Sequence, residues 1–312
     1  MRRLPAAIAA VVVALTASLA ARGAEPEAPA ASPAATVETS AAESVPALIE
    51  RMARDDFSGL DASRRLAAMG EAAVPDLIRA TEHQVPRVRY WSIAALSGIG
   101  SDSALPAIVK CLNDPDALVR AVAIWHLGGW YERPEVREAV LKKLQDPDPF
   151  VKGWAMKLIQ AQHDRRAVEP VRALLKEQTP EVRYDALHTL SVLEGPDVLD
   201  TLTKILREDE SAIVREGALR CCTVVSPPTP RTAEVLIAGL RDKDATVRKA
   251  AIGLLRKGFG QGFAFDPSGE PLDREKGARQ WQDWYDANKA RLGWNEERRR
   301  FDVAENQPVP AR

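Results

Sequence analysis

The chain has 312 residues and little of what usually carries chemistry: 3 cysteines, 4 histidines, and 5% aromatic residues. An odd cysteine count that includes the adjacent pair Cys221-Cys222 does not make a disulfide framework. His83, His126, His163 and His188 are scattered without His-x-x-x-His spacing, and no Cys-x-x-Cys is present, so no metal site is signalled. Neither a Gly-x-Ser-x-Gly elbow nor a phosphate-cradling glycine loop occurs, which removes the usual hydrolase and nucleotide-binding signatures. No cofactor and no catalytic residue is predicted. Charge of one sign is lacking too: 43 basic residues stand against 44 acidic ones, for a net charge of −1, so no general attraction to nucleic acid follows.

Long apolar runs are confined to the N-terminus. Met1-Arg2-Arg3 followed by Leu4 to Leu19 has the charged start and apolar centre of a secretory signal, with Ser18-Leu19-Ala20 or Ala21-Arg22-Gly23 as cleavage triplets. Residues 1–24 are therefore predicted as a signal peptide, which places the mature protein in the periplasm or outside the cell without stable membrane insertion after cleavage. Residues 25–41 are rich in Ala, Pro, Glu, Ser and Thr, have almost nothing to bury, and read as a disordered linker.

What the chain does have is a phrase that returns six times: a small or acidic residue, two residues, valine, then arginine or lysine. The basic residues are Arg89, Arg120, Lys152, Arg183, Arg215 and Arg248, a period of 31 to 33 residues. Such a period means stacked repeats, not a single globular core. Four residues before the basic position stand Asp116, Asp148, Thr179, Ser211 and Asp244, side chains able to accept from the free N–H groups of a helix's first turn. Val85 breaks the rule in the first phrase. The next column holds Pro86, Ala117, Pro149, Pro180, Ala212 and Ala245, where proline is tolerated because that N–H has no helical partner. Apolar and small residues then recur three, four and seven positions on, as in Ala123, Ile124 and Leu127, which marks one buried helix face. A shorter apolar helix precedes each phrase, from Val74 to Thr81 in the first case and Val235 to Leu240 in the last.

Six residues before the basic position stand Asp114, Asp146, Glu177, Asp209 and Asp242. A cation in a first helical turn opposes the macrodipole and needs a compensating partner. Each basic residue is therefore predicted to pair with the acid of its own or the adjoining unit, in a ladder that sets register. As exposed pairs these would contribute about 0–1 kcal/mol each.

With this phrase, the aspartate-proline-aspartate turn at Asp114-Pro115-Asp116 and the paired helices, residues 42–257 resemble HEAT repeats of the short bacterial type also found in phycobilisome lyases. The resemblance implies an all-α fold, a right-handed α-α superhelix of about seven units with the second helices on the concave side. It implies no single reaction. HEAT-like deoxyhypusine hydroxylases carry repeated His-Glu pairs for iron, and this chain has none. Residues 43–70 form a degenerate first unit. Residues 258–301, with Trp281, Trp284 and Tyr285 on one predicted helix and Trp294 beyond it, are an aromatic C-terminal cap that resembles the ending of exported bacterial HEAT-repeat proteins. Residues 302–312 read as a disordered tail.

The positions one, two and five after the basic residue point away from the core-facing columns. They and the positions along that row hold Tyr90, Trp91, Trp125, Trp154, Tyr184, His188 and Arg220, with Lys157, Asp185 and Glu216 among them. Exposed aromatics in a concavity anchor binding surfaces. The competing expectation is that Trp91, Trp125 and Trp154 fill wedges between neighbouring units. The sequence thus predicts a non-catalytic exported scaffold that binds a protein or peptide on its second-helix face. A bilin lyase-like handler of tetrapyrroles and an envelope glycan-binding module are the alternatives.

Overall fold

The computed structural model describes residues 43–54 and 58–304. The predicted signal peptide, the linker and the final residues of the predicted tail lie outside them. The fold is all-α, an α-solenoid of short and long helices in alternation, with one two-stranded sheet among the described residues, near their C-terminal end. No helix among the described residues is long and apolar enough to cross a membrane. The described residues divide into two compact units, the first ending at Lys143 and the second beginning at Leu144.

The first unit contains α1 (Val45–Met52), α2 (Ser58–Ala68), α3 (Val74–Ala80), α4 (Pro86–Ile99), α5 (Leu105–Lys110), α6 (Ala117–His126) and α7 (Pro134–Lys142). Long helix packs on long helix, α2 on α4 and α4 on α6, while the shorter α3 lies against α4. Val88, Ile93, Leu96, Val119 and Ile124 are fully buried between these layers, as their spacing requires.

The second unit contains α8 (Pro149–Ala161), α9 (Val168–Ala173), α10 (Pro180–Glu194), α11 (Leu199–Glu208), α12 (Ala212–Cys221), α13 (Thr232–Gly239) and α14 (Ala245–Phe259). There α8, α10, α12 and α14 form one layer, and α9, α11 and α13 back it.

Helix starts follow the sequence in part. Asp116, Asp148 and Asp244 accept from first-turn N–H groups, as at Leu118, Phe150 and Thr246. Thr179 and Ser211, predicted to do the same, make no side-chain cap bond. The acid two residues earlier supplies part of the order in the second case, since Asp209 Oδ1 accepts from the Ser211 N–H at 2.9 Å. Asp114, Asp146 and Asp242 make the equivalent bond to the N–H of Asp116, Asp148 and Asp244.

The repeat array ends in a module of a different kind. Gly260, at φ 65°, caps α14 in the left-handed conformation that glycine adopts without penalty, its N–H reaching the carbonyl of Arg256. The chain then returns through α15 (Pro271–Asn288) and a hairpin of β1 (Leu292–Asn295) with β2 (Arg300–Val303). Trp281 and Tyr285 are buried on α15, and the Tyr285 hydroxyl donates to Glu234 of α13 at 2.9 Å. Phe259 of α14 stacks on Phe301 of β2 at 5.2 Å. The hairpin corrects the expected tail boundary: Asp302 lies in β2 opposite Gly293.

Candidate functional site

The basic column is a set of inter-repeat clamps. Arg89 reaches Asp114 through Nε and Nη2 at 2.7 and 2.6 Å, Arg183 reaches Asp209 at 2.8 and 2.8 Å, and Arg215 reaches Asp242 at 2.8 and 2.9 Å. The Nη1 of each arginine donates to two carbonyls of the loop before its own helix, for Arg215 those of Asp209 and Glu210. Arg120 makes the same carbonyl contacts, to Asp114 and Pro115. So the acid comes from the following unit, and the carbonyls come from the arginine's own.

Lys152 is the exception, with one 2.5 Å contact from Nζ to Glu177. An ammonium cannot fork, and here the acid is the longer glutamate. Arg248 has no later repeat to meet, and its Nε donates to the Pro267 carbonyl in the C-terminal module at 2.7 Å. That module thus takes the place of a further unit.

These pairs are not the exposed ladder expected from the sequence. The side chains of Arg215 and Asp242 are only 3% and 4% exposed. Buried between helices, the pairs are screened little by salt, and removing one partner strands a charge.

The predicted aromatic strip also needs correction. Tyr90, Trp91 and Trp154 are 5%, 7% and 7% exposed, and Trp125 and Tyr184 are half-buried. For Trp91 and Tyr184 the reason is a glycine notch on a neighbouring long helix. A Cβ placed on Gly59 would lie 2.3 Å from Trp91 Nε1, and one on Gly217 would lie 2.3 Å from the Tyr184 ring. Each ring occupies the space that a side chain would need, so the outward columns of one unit are partly the filling of an adjoining one. Gly59, Gly153 and Gly217 were not singled out from the sequence. The signal available was Gly153 and Gly217 one and two residues after Lys152 and Arg215.

The long helices of the second unit expose charged side chains, Lys157 and Arg220 among them, together with Ile213 at the start of α12. Lys157 Nζ sits 4.6 Å above the Trp154 ring centre, a cation–π contact. The Asp185 carboxylate lies across Gly153, where a Cβ would stand 3.1 Å from Oδ2. Burial holds the Asp185 carboxyl above its ordinary value, opposed by the positive charges of Lys157 and His188. His188 is half-buried, and exposed Arg220 is held by Glu216, with Nη2 2.6 Å from Oε1. The structure therefore gathers Trp154, Lys157, Asp185 and His188 on α8 and α10, with Tyr184 packed on Gly217 of α12, the helix that carries Arg220. Tyr90, Trp91 and Trp125 belong to the other compact unit.

Nucleophile chemistry is disfavoured at the thiols, since burial pushes Cys111 and Cys221 up to about 11 and Cys222 higher still. Among the described residues no group of His, Cys, Asp and Glu could hold a metal ion.

Several known proteins resemble this chain in part. An uncharacterized phycocyanin operon protein Y from Pseudanabaena tenuis (strain PCC 7409) is 29% identical over 98 residues, which is 30% of this chain and 23% of that protein. Among solved structures, the complex of CpcE and CpcF of phycocyanin lyase from Nostoc sp. PCC7120 aligns with a TM-score of 0.38 at 18% identity, covering 81% of this chain and 100% of that one. Human deoxyhypusine hydroxylase aligns with a TM-score of 0.33 at 19% identity, covering 68% and 83%. The family model for HEAT repeats matches residues 45–128, 105–161 and 137–223, overlapping stretches that span more than half of the sequence and follow its own period. The chain belongs to the HEAT-repeat family.

Proposed function

We propose that this HEAT-repeat protein is a non-catalytic scaffold that holds a protein or peptide on the long-helix face of α8, α10 and α12. The observation that supports it is the group of Lys157, Asp185 and His188 beside the buried Trp154, with exposed Arg220 on α12. Asp185 is kept half-buried on that face although burial disfavours its charge. Groups of both signs on a rigid helical base suit a polar partner whose own charges alternate. The N-terminal pattern of residues 1–24 supports export as the setting.

The test is affinity capture with the mature chain from the exported fraction, beside a Lys157→Glu/His188→Ala/Arg220→Glu variant with an unchanged melting temperature. Loss of one dominant partner in the folded variant is the expected result. Equal capture by both proteins would remove this face from consideration.

The similarity to the phycocyanin operon protein supports a second reading, a lyase-like handling of open-chain tetrapyrroles. Visible absorbance of the purified protein after incubation with such a pigment checks it. A colourless protein after gel filtration leaves the scaffold reading in place.

A further inference from the structure

A cleft of about 550 Å³ opens between the loop that follows α12, the last turns of α14 and the β1–β2 hairpin. This falls in the range of small-molecule sites, roughly 300–1,000 Å³. Its walls include Phe259, Phe301, Trp294, Leu236 and Leu254, with the hydroxyl side chains of Thr223, Ser226, Thr229 and Thr232 along the side formed by the loop and the start of α13. Trp294 and Phe301 meet edge to face at 5.1 Å.

Two cations border this cleft, Lys257 from the end of α14 and Arg299 from the hairpin turn. Both are exposed, and neither makes an ion pair with a described residue. The contrast within the hairpin is direct. Of three consecutive arginines, Arg298 and Arg300 both pair with Asp302, at 3.5 and 2.8 Å, while Arg299 between them lines the cleft. Arg299 has a φ of 49°, a left-handed conformation unfavourable for a residue with a Cβ. Gly258 adds a further observation. It lies within α14, where glycine is a poor helix former, and a Cβ there would touch nothing within 4 Å. No packing contact explains the missing side chain at this position on the cleft wall.

We propose that this cleft binds a small amphipathic anion: an aliphatic chain or aromatic ring ending in a single carboxylate. The apolar part lies on Trp294 and Phe301, and the carboxylate lies between Arg299 and Lys257. The site shares no residue with the α8–α10–α12 face and stands independently of the function proposed for it.

Isothermal titration of the full chain with decanoate, 3-phenylpropionate and the neutral analogue decanol tests this. One or both carboxylates should bind, and decanol should bind at least about tenfold more weakly, the effect of losing one charge-assisted contact. Lys257→Gln/Arg299→Gln should weaken carboxylate binding by about the same factor and leave decanol unchanged. Gly258→Phe fills the cleft from a position with room for a side chain and should abolish binding without lowering the melting temperature. The proposal is overturned if neither carboxylate binds the wild-type chain, if decanol matches them, or if the folded Gly258→Phe protein binds as before.

Discussion

Replacing Arg215 by lysine keeps the charge and removes only the fork. The wild-type guanidinium donates to both Asp242 oxygens at 2.8 and 2.9 Å and to the carbonyls of Asp209 and Glu210 at 3.0 and 2.9 Å. A lysine ammonium presents its three donors from a single atom. Lys152 shows the result within this same protein, a single contact to Glu177. If the new ammonium keeps the carboxylate, two loop carbonyls lose their donor, and an unmet buried acceptor costs about 1–3 kcal/mol. Allowing for partial access of water to that loop, Arg215→Lys should lower stability by about 2–4 kcal/mol.

Urea unfolding followed by far-UV circular dichroism measures the loss. Repeat arrays can unfold in parts, so amide exchange at Thr246 and Val247, in the helix start beside Asp242, supplies a local reading. Because the pair is buried, the difference should persist at high salt. A loss below about 0.5 kcal/mol, within the range of ordinary surface substitutions, would refute the idea that the fork joins the units.

Two further outcomes follow from the same packing. Gly59→Ala drives a methyl into the Trp91 indole and should cost about 1–3 kcal/mol, whereas in a Trp91→Leu background it should cost little; additive losses in thermal unfolding would show that the notch is not the reason for the glycine. Asp185→Asn should stabilise the protein at neutral pH. The folded state raises the Asp185 pKa, so the wild-type group favours folding below its unfolded value and loses that contribution as pH rises through the folded one. The gap between variant and wild type should close as pH falls below 3.8, and a less stable asparagine variant at neutral pH would mean that Lys157 and His188 outweigh burial.

The repeat register was legible because it is written in residue types with one physical meaning each. Proline at the first helical position, aspartate before it and valine three positions after the aspartate mark a helix start without reference to the rest of the chain. The ladder was legible as a column of charges, but its burial was not. Exposure depends on the neighbouring unit, and a sequence column describes one unit at a time. The same limit explains Trp91 and Tyr184, which point away from their own core onto Gly59 and Gly217 of adjacent helices. The β1–β2 hairpin went unread because its strands are four residues long, too short for an alternation to stand out, and its turn is charged instead of glycine-rich.

Function is harder to read in a solenoid than fold for a related reason. Residues that obey the period are committed to holding units together, so the part of the sequence with the strongest signal is the part least available for work on a partner. What remains for function lies in departures from the repeat: Asp185, charged where burial disfavours it; Arg299, unpaired between two paired arginines; Gly258, small with nothing beside it. In one sequence each departure looks like noise, because nothing repeats it. The structure turns noise into signal by showing that, among the described residues, no packing contact accounts for Gly258 and no ion pair holds Arg299. A side chain that the fold does not explain, beside an apolar recess or on an open helix face, is where a ligand or partner should be sought.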